Sequence, residues 1–180
     1  MIRLALIAAV LAAPLAAAAQ TAPPPKPGAS CTDAAHHAFD FWIGRWDVVT
    51  TKDGKPAGSS LIEAVYSGCA VRENWTDPSG YSGGSLNTYD PIAGKWRQTW
   101  TDSAGSWREF VGGIEAGKMV LVAHRPLRTD PARTLLERMI FTPNPDGSVR
   151  QFSDMSTDDG KTWQIRYDFT YRRATSAKAK

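Results

Sequence analysis

The 180 residues carry 21 Lys and Arg against 18 Asp and Glu, a formal charge of +3. That excess is too small, and its cations too dispersed, for a nucleic-acid partner, which calls for a basic stripe. No apolar run reaches the roughly twenty residues of a membrane-spanning helix, so no membrane span is expected.

The chain opens with one cation, Arg3, an apolar run from Leu4 to Ala13 and small residues up to Ala17-Ala18-Ala19 before Gln20. This is the pattern of a cleavable secretory leader over residues 1–19, and it predicts a periplasmic or secreted protein. Its loss removes Arg3 and no acid, lowering the formal charge from +3 to +2. Residues 20–29, rich in Pro, present no periodic apolar face and read as a solvated linker. A single domain is expected over 30–173, followed by a flexible tail over 174–180. Cys31 and Cys69 are the two cysteines of the chain, and an oxidising compartment favours their pairing.

From Asp33 to Trp42 a short turn of helix is expected. Beyond Gly44, reversal chemistry recurs: Asp53-Gly54, Ser67-Gly68, Asp77 to Gly80, Asp90 to Gly94, Asp102 to Gly105, Gly112 to Gly117, Pro126 to Arg133, Asn144 to Gly147 and Asp158 to Gly160. Gly, Asn, Asp and Pro supply the backbone angles such turns demand. The intervening segments, of about five to nine residues, are rich in β-branched and aromatic residues, as strands are. Nine turns divide the chain into ten strands. In the last, Trp163, Ile165, Tyr167, Phe169 and Tyr171 alternate with Gln164, Arg166, Asp168, Thr170 and Arg172, predicting one apolar and one wet face. The fold class is all-β, a ten-stranded antiparallel up-and-down barrel whose closure removes the edges; a two-sheet sandwich is the alternative.

The order of exported leader, helical turn, Gly44-Arg45-Trp46 on the first strand, up-and-down strands and terminal arginines resembles the calycin superfamily of lipocalins and their relatives. The resemblance implies that Gly44 and Trp46 close the barrel floor and that a cation of the last strand, Arg166, Arg172 or Arg173, packs across Trp46; Arg172 is taken for that role. Four further motifs are Phe39-Asp40-Phe41-Trp42-Ile43-Gly44-x-Trp46-Asp47-Val48, Gly68-Cys69 with Glu73-x-Trp75, Gly84-Ser85-x-Asn87-x-Tyr89-Asp90, and Gly94-Lys95-Trp96-x-Gln98-x-Trp100-x-Asp102. They are similar to a family of short secreted bacterial proteins, a likeness that implies the fold and the export and carries no activity.

Alternation sorts the polar residues. Glu73 shares a strand face with Val71 and Trp75; Ser85, Asn87 and Tyr89 share another; Gln98 lies between Trp96 and Trp100. One acid, two amides and four aromatics suit a barrel interior, because small-molecule pockets are mostly apolar with a few placed polar groups. Glu73, Trp75, Asn87, Tyr89, Trp96, Gln98 and Trp100 are therefore the candidate ligand-binding residues. The competing reading is a filled core in which Glu73, Asn87 and Gln98 satisfy one another. Burial among tryptophans would raise the pKa of Glu73 and fit it for general acid or base work.

No catalytic residue is singled out. The chain holds no Gly-x-Ser-x-Gly, no phosphate-cradling Gly-rich loop, no His-Glu-x-x-His and no Cys-x-x-Cys, and this weighs against an enzyme. His36, His37 and His124 lack partners at metal spacing, so no metal site and no cofactor are expected. His124 is the one candidate for haem, since the nitrobindins, barrels of similar size, bind haem through a histidine. The segment Arg125 to Arg133 reads as the longest loop, either a solvated connection or a basic lid for an anionic ligand. Three functions follow: an exported binding or carrier barrel for a small hydrophobic or amphipathic ligand, an enzyme of the same fold using a buried carboxylate or haem, or a filled scaffold that acts through its surface. The first is the expectation carried forward.

Overall fold

The computed structural model describes residues 31–175. The expected leader over 1–19, the expected linker over 20–29 and residues 176–180 of the expected tail lie outside the described residues. Ten antiparallel strands follow in order: β1 (Gly44–Thr50), β2 (Pro56–Val65), β3 (Ala70–Thr76), β4 (Ser82–Asp90), β5 (Lys95–Asp102), β6 (Trp107–Glu115), β7 (Lys118–Leu127), β8 (Asp130–Pro143), β9 (Val149–Ser156) and β10 (Gln164–Arg173). Each pairs with its successor, and β10 returns to pair with β1. The barrel is closed, so no strand edge is left unpaired.

Two reversals differ from the sequence expectation. Gly112 and Gly113 lie inside β6, and the turn is confined to Ala116-Gly117. Gly112 sits in the strand because the Val120 carbonyl presses on its Cα; a Cβ there would lie 1.9 Å from that oxygen. The segment read as a long loop over Pro126 to Arg133 is mostly strand. β7 runs to Leu127, β8 starts at Asp130, and only Arg128 and Thr129 turn. A register slip between Pro126 and Leu127 absorbs the proline, which is tolerated where the ladder is already irregular.

One end of the barrel is sealed. The segment ahead of β1 makes a run of turns ending in a 3-10 helix, Asp40–Trp42. Phe39 stacks on Trp42 at 5.0 Å and meets Phe141 edge-on at 5.0 Å; both side chains at the start of this plug are fully buried. The Trp96 indole donates to the Ala35 carbonyl at 3.2 Å, tying the plug to β5. Behind it, Cys31 and Cys69 are joined in a disulfide across 38 residues, so the plug is cross-linked to the β2–β3 connection.

Trp46 completes the floor. Its indole donates to the Trp42 carbonyl at 2.8 Å, and a guanidinium lies over its ring at 4.0 Å. That cation is Arg173, not Arg172. Trp46 pairs with Arg173 while Asp47 pairs with Arg172, so Arg172 shares the outer face with Asp47. Arg173 Nη1 also donates to the Ile43 carbonyl at 2.7 Å. Gly44 has φ +151°, and a Cβ there would fall 1.8 Å from Arg173 Nη1, so glycine is the residue that admits this cation.

Closing a loop of this length in the unfolded chain is worth about 4 kcal/mol by the loop-entropy relation. A Cys31→Ser, Cys69→Ser double variant is expected to lose about that much, read from the urea midpoint, while keeping its β-sheet circular dichroism. An unchanged midpoint would mean that the aromatic plug holds without the cross-link.

Candidate functional site

The opposite end of the barrel is open. A cavity of about 280 Å³ enters there, lined by side chains of β2, β3, β5, β6, β8, β9 and β10 and of the β3–β4 connection. Its apolar wall is made by Trp75, Trp100, Phe110, Met139 and Phe169. Two glycines keep it hollow. Gly58 and Gly83 lie beneath the indoles, and a Cβ on either would stand 2.5 Å from the Cζ2 atom of Trp75 or Trp100. The two rings can therefore lie against the barrel wall instead of filling the lumen.

Of the residues singled out from alternation, Glu73, Trp75, Gln98 and Trp100 line this cavity. Asn87, Tyr89 and Trp96 do not. Asn87 is buried behind Gln98; Trp96 belongs to the plug, against Phe39; Tyr89 packs on His36 at the sealed end. The two competing readings each hold in part. Gln98 donates to Asn87 Oδ1 at 2.7 Å, and Asn87 donates to Ser85 Oγ at 3.0 Å and to the Val71 carbonyl at 2.9 Å. Ser85 in turn donates to Glu73 Oε2 at 3.0 Å, and Ser60 to Oε1 at 3.2 Å. The polar residues thus satisfy one another, and the two at the ends of the chain still face open space.

Glu73 is 4% exposed and no cation pairs with it among the described residues. Desolvation pushes its carboxyl up to about 7, against the opposing pull of the Ser85, Ser60 and Tyr171 hydroxyls. Tyr171, whose hydroxyl donates to Gln151 Oε1 at 2.7 Å, is itself held well above the ordinary phenol value, first by burial and then by the charge of Glu73.

A second carboxyl lines the same cavity and was not singled out. Glu137 is 1% exposed. Arg166 Nη1 donates to its Oε1 and Arg125 Nη2 to its Oε2 at 3.1 Å, while Arg108 Nε stands 4.0 Å away. The signal for Glu137 was available: Leu135, Met139 and Phe141 share its strand face and are buried, the same placing of an acid in an apolar row that marks Glu73. Arg108 shares a face with buried Phe110, and the neighbouring Trp107 is 64% exposed.

Arg166 was not legible by alternation. A register shift between Ile165 and Tyr167 inserts one residue into β10, turning Ile165 out to 70% exposure and Arg166 into the cavity. Bulges re-aim side chains in this way. The expectation that Ile165 points inward and Arg166 outward is corrected accordingly.

The acids at the mouth are held locally. Asp77 Oδ1 accepts from the backbone of Ser79 and Tyr81 at 2.8 and 3.0 Å. Asp102 accepts from the Trp100 indole at 3.0 Å and from the backbone of Ala104 and Ser106, and these bonds, with the Tyr81 hydroxyl, hold it well below the usual carboxylate range despite its burial. His124 lies on the exposed outer face of β7, away from the cavity, so it cannot present a ring nitrogen to a group bound inside. Among the described residues no set of three or more His, Cys, Asp or Glu could hold a metal ion, and no helix is long and apolar enough to cross a membrane. No protein-family model matches this chain, and no curated protein matches it.

Glu73 generates a pH signature. Its folded pKa of about 7 exceeds the ordinary 4.5, so the folded state holds the proton more tightly than the unfolded one. The associated stability is fully present below about pH 4.5 and is lost as pH rises through about 7, a swing of up to about 3 kcal/mol. Glu73→Gln removes the titration. In urea unfolding the variant is expected to gain on the native protein from about pH 5 to about pH 8; parallel pH profiles would show that Glu73 is not a buried neutral acid.

Proposed function

We propose that this protein is an exported binding or carrier barrel, and that the cavity at the open end receives a small hydrophobic or amphipathic molecule. The observation that carries the reading is the hollow itself: about 280 Å³ kept open by indoles laid over Gly58 and Gly83. Its volume falls at the lower edge of ligand pockets, roughly 300–1,000 Å³, which suits a ligand of up to about three rings or a short chain. Apolar walls with a few fixed polar groups are what such sites use to gain affinity and orientation. The disulfide fits an oxidising compartment, and the leader pattern supports export. The likeness to calycins agrees with this use of a barrel.

A solvent-free filled scaffold accounts poorly for an acid and an amide left facing open space. An enzyme has one observation in its favour, a carboxyl titrating at about 7 inside the cavity, where a general acid or base would be placed. Beside Glu73 the cavity presents no nucleophile paired with a base, so binding is the better supported reading.

N-phenyl-1-naphthylamine, a neutral dye that brightens in apolar surroundings, tests it. The protein is expected to bind one equivalent with micromolar affinity. Ala57→Trp, which fills the mouth from β2, is expected to weaken binding at least tenfold with the urea midpoint little changed. Absence of binding by the native protein, or equal binding by Ala57→Trp, would remove the cavity as a ligand site.

A further inference from the structure

The cavity mouth holds more cation than its buried partner uses. Arg108, Arg125 and Arg166 converge on the single carboxylate of Glu137. Its two oxygens are taken by Arg166 and Arg125. Arg108 is left at 4.0 Å by its Nε, beyond hydrogen-bond reach, although its side chain is only 17% exposed. Its guanidinium carries five donors in a rigid fork, and none of them is hydrogen-bonded to protein among the described residues. Arg108 and Arg166 both line the cavity.

The other acids at this end make no ion pair with Arg108 among the described residues. Asp77 Oδ1 accepts from backbone N–H groups of its own turn, both oxygens of Asp102 accept from its turn and from the Trp100 indole, and neither acid forms an ion pair with an arginine among the described residues. Glu73 lies deeper, on the middle of β3, and its carboxyl is drawn toward the neutral form by burial. What an entering molecule meets beside the apolar wall of Trp75, Trp100 and Phe110 is therefore a guanidinium with no hydrogen-bond partner among the described residues. Arginine in this state matches the planar, bidentate acceptor geometry of a carboxylate or sulfonate, and does so better than a point-like ammonium would.

We infer that the ligand of this barrel is an amphipathic monoanion, whose acidic head group is received by Arg108 with Arg166 while its apolar body lies along Trp75, Trp100 and Phe110. The inference rests on the binding reading above and specifies it. The cavity has room for the equivalent of about nine waters of liquid, which limits the body to about three rings or a chain of similar bulk. Delivery of Arg166 by the β10 bulge and the pairing of Glu137 with the other two arginines leave Arg108 as the recognising group and Arg166 as its flank.

Two dyes of one skeleton separate head group from body: 8-anilinonaphthalene-1-sulfonate, an anion, and N-phenyl-1-naphthylamine, its neutral counterpart. Both are titrated into the full mature protein at about pH 6, where Glu73 is mostly protonated. The anion is expected to bind at least tenfold tighter than the neutral dye. In Arg108→Met that ratio is expected to fall to near one; Arg108→Lys, which keeps the charge and loses the fork, is expected to fall between. Equal affinities in the native protein, or a ratio that Arg108→Met and Arg108→Lys leave unmoved, would overturn the anionic head group while leaving the cavity a binding site. Failure of both dyes to bind would instead overturn the binding reading on which it stands. If Arg108→Met does not fold, the lysine variant alone decides, because an unchanged ratio there contradicts recognition by the fork.

Discussion

Two buried carboxyl groups, Glu73 and Glu137, line the cavity of one closed barrel, and the rest of the site follows from how each is compensated. An isolated buried carboxylate is too costly to keep. Glu137 meets the cost with cations, drawing Arg166 and Arg125 onto its oxygens. Glu73 has no cation among the described residues and meets it with a proton, against the pull of the Ser60 and Ser85 hydroxyls, which favour the charged form. The same lumen therefore holds one pole where an acid keeps its proton in mildly acidic conditions and another where arginines cluster on a carboxylate. That asymmetry would be worth little in an open sheet, where water would screen both groups. It depends on closure of β10 onto β1 and on the plug that seals the far end.

The two ends of the barrel divide the work. At the sealed end the aromatic residues are packed against one another: Phe39, Trp42, Trp96 and Phe141 leave no lumen, and Trp46 is clamped between the Trp42 carbonyl and Arg173. At the open end the same residue type does the opposite, because Gly58 and Gly83 give Trp75 and Trp100 a flat wall to rest on. Small residues on the strands thus decide whether an indole fills the barrel or lines it. The mouth acids, Asp77 and Asp102, organise the hairpins that frame the entrance.

Much of this was legible in the chain. Turn residues marked nine reversals because Gly, Asp and Asn serve backbone angles that few others tolerate, and the ten strands between them are those of the barrel. Alternation found Glu73, Trp75, Gln98 and Trp100 at the cavity, and would have found Glu137 and Arg108 had a buried acid been sought in every apolar row. Asn87, Tyr89 and Trp96 show its limit: a residue can point inward and meet the plug or a neighbour's side chain rather than open space, and depth along a strand is not a periodic property. Arg166 was hidden for a different reason. A single inserted residue reverses the faces of everything before it, and nothing in Gln164-Ile165-Arg166-Tyr167 announces the insertion. The choice of Arg173 over Arg172 likewise depends on register between β1 and β10, which a sequence displays only once the strands are paired.

The seven tryptophans make the central claim, that ligand enters the cavity at the open end, directly measurable. Each contributes one indole N–H resonance, and they divide by position: Trp75 and Trp100 line the cavity, Trp42, Trp46 and Trp96 form the floor, Trp163 lies under the Arg138 guanidinium, and Trp107 is exposed outside. Titration of 15N-labelled protein with N-phenyl-1-naphthylamine should move the Trp75 and Trp100 resonances strongly and saturably and leave those of the floor and of Trp107 nearly in place. Saturable shifts at Trp107 with Trp75 and Trp100 unmoved would place the ligand on the outer surface and contradict the account.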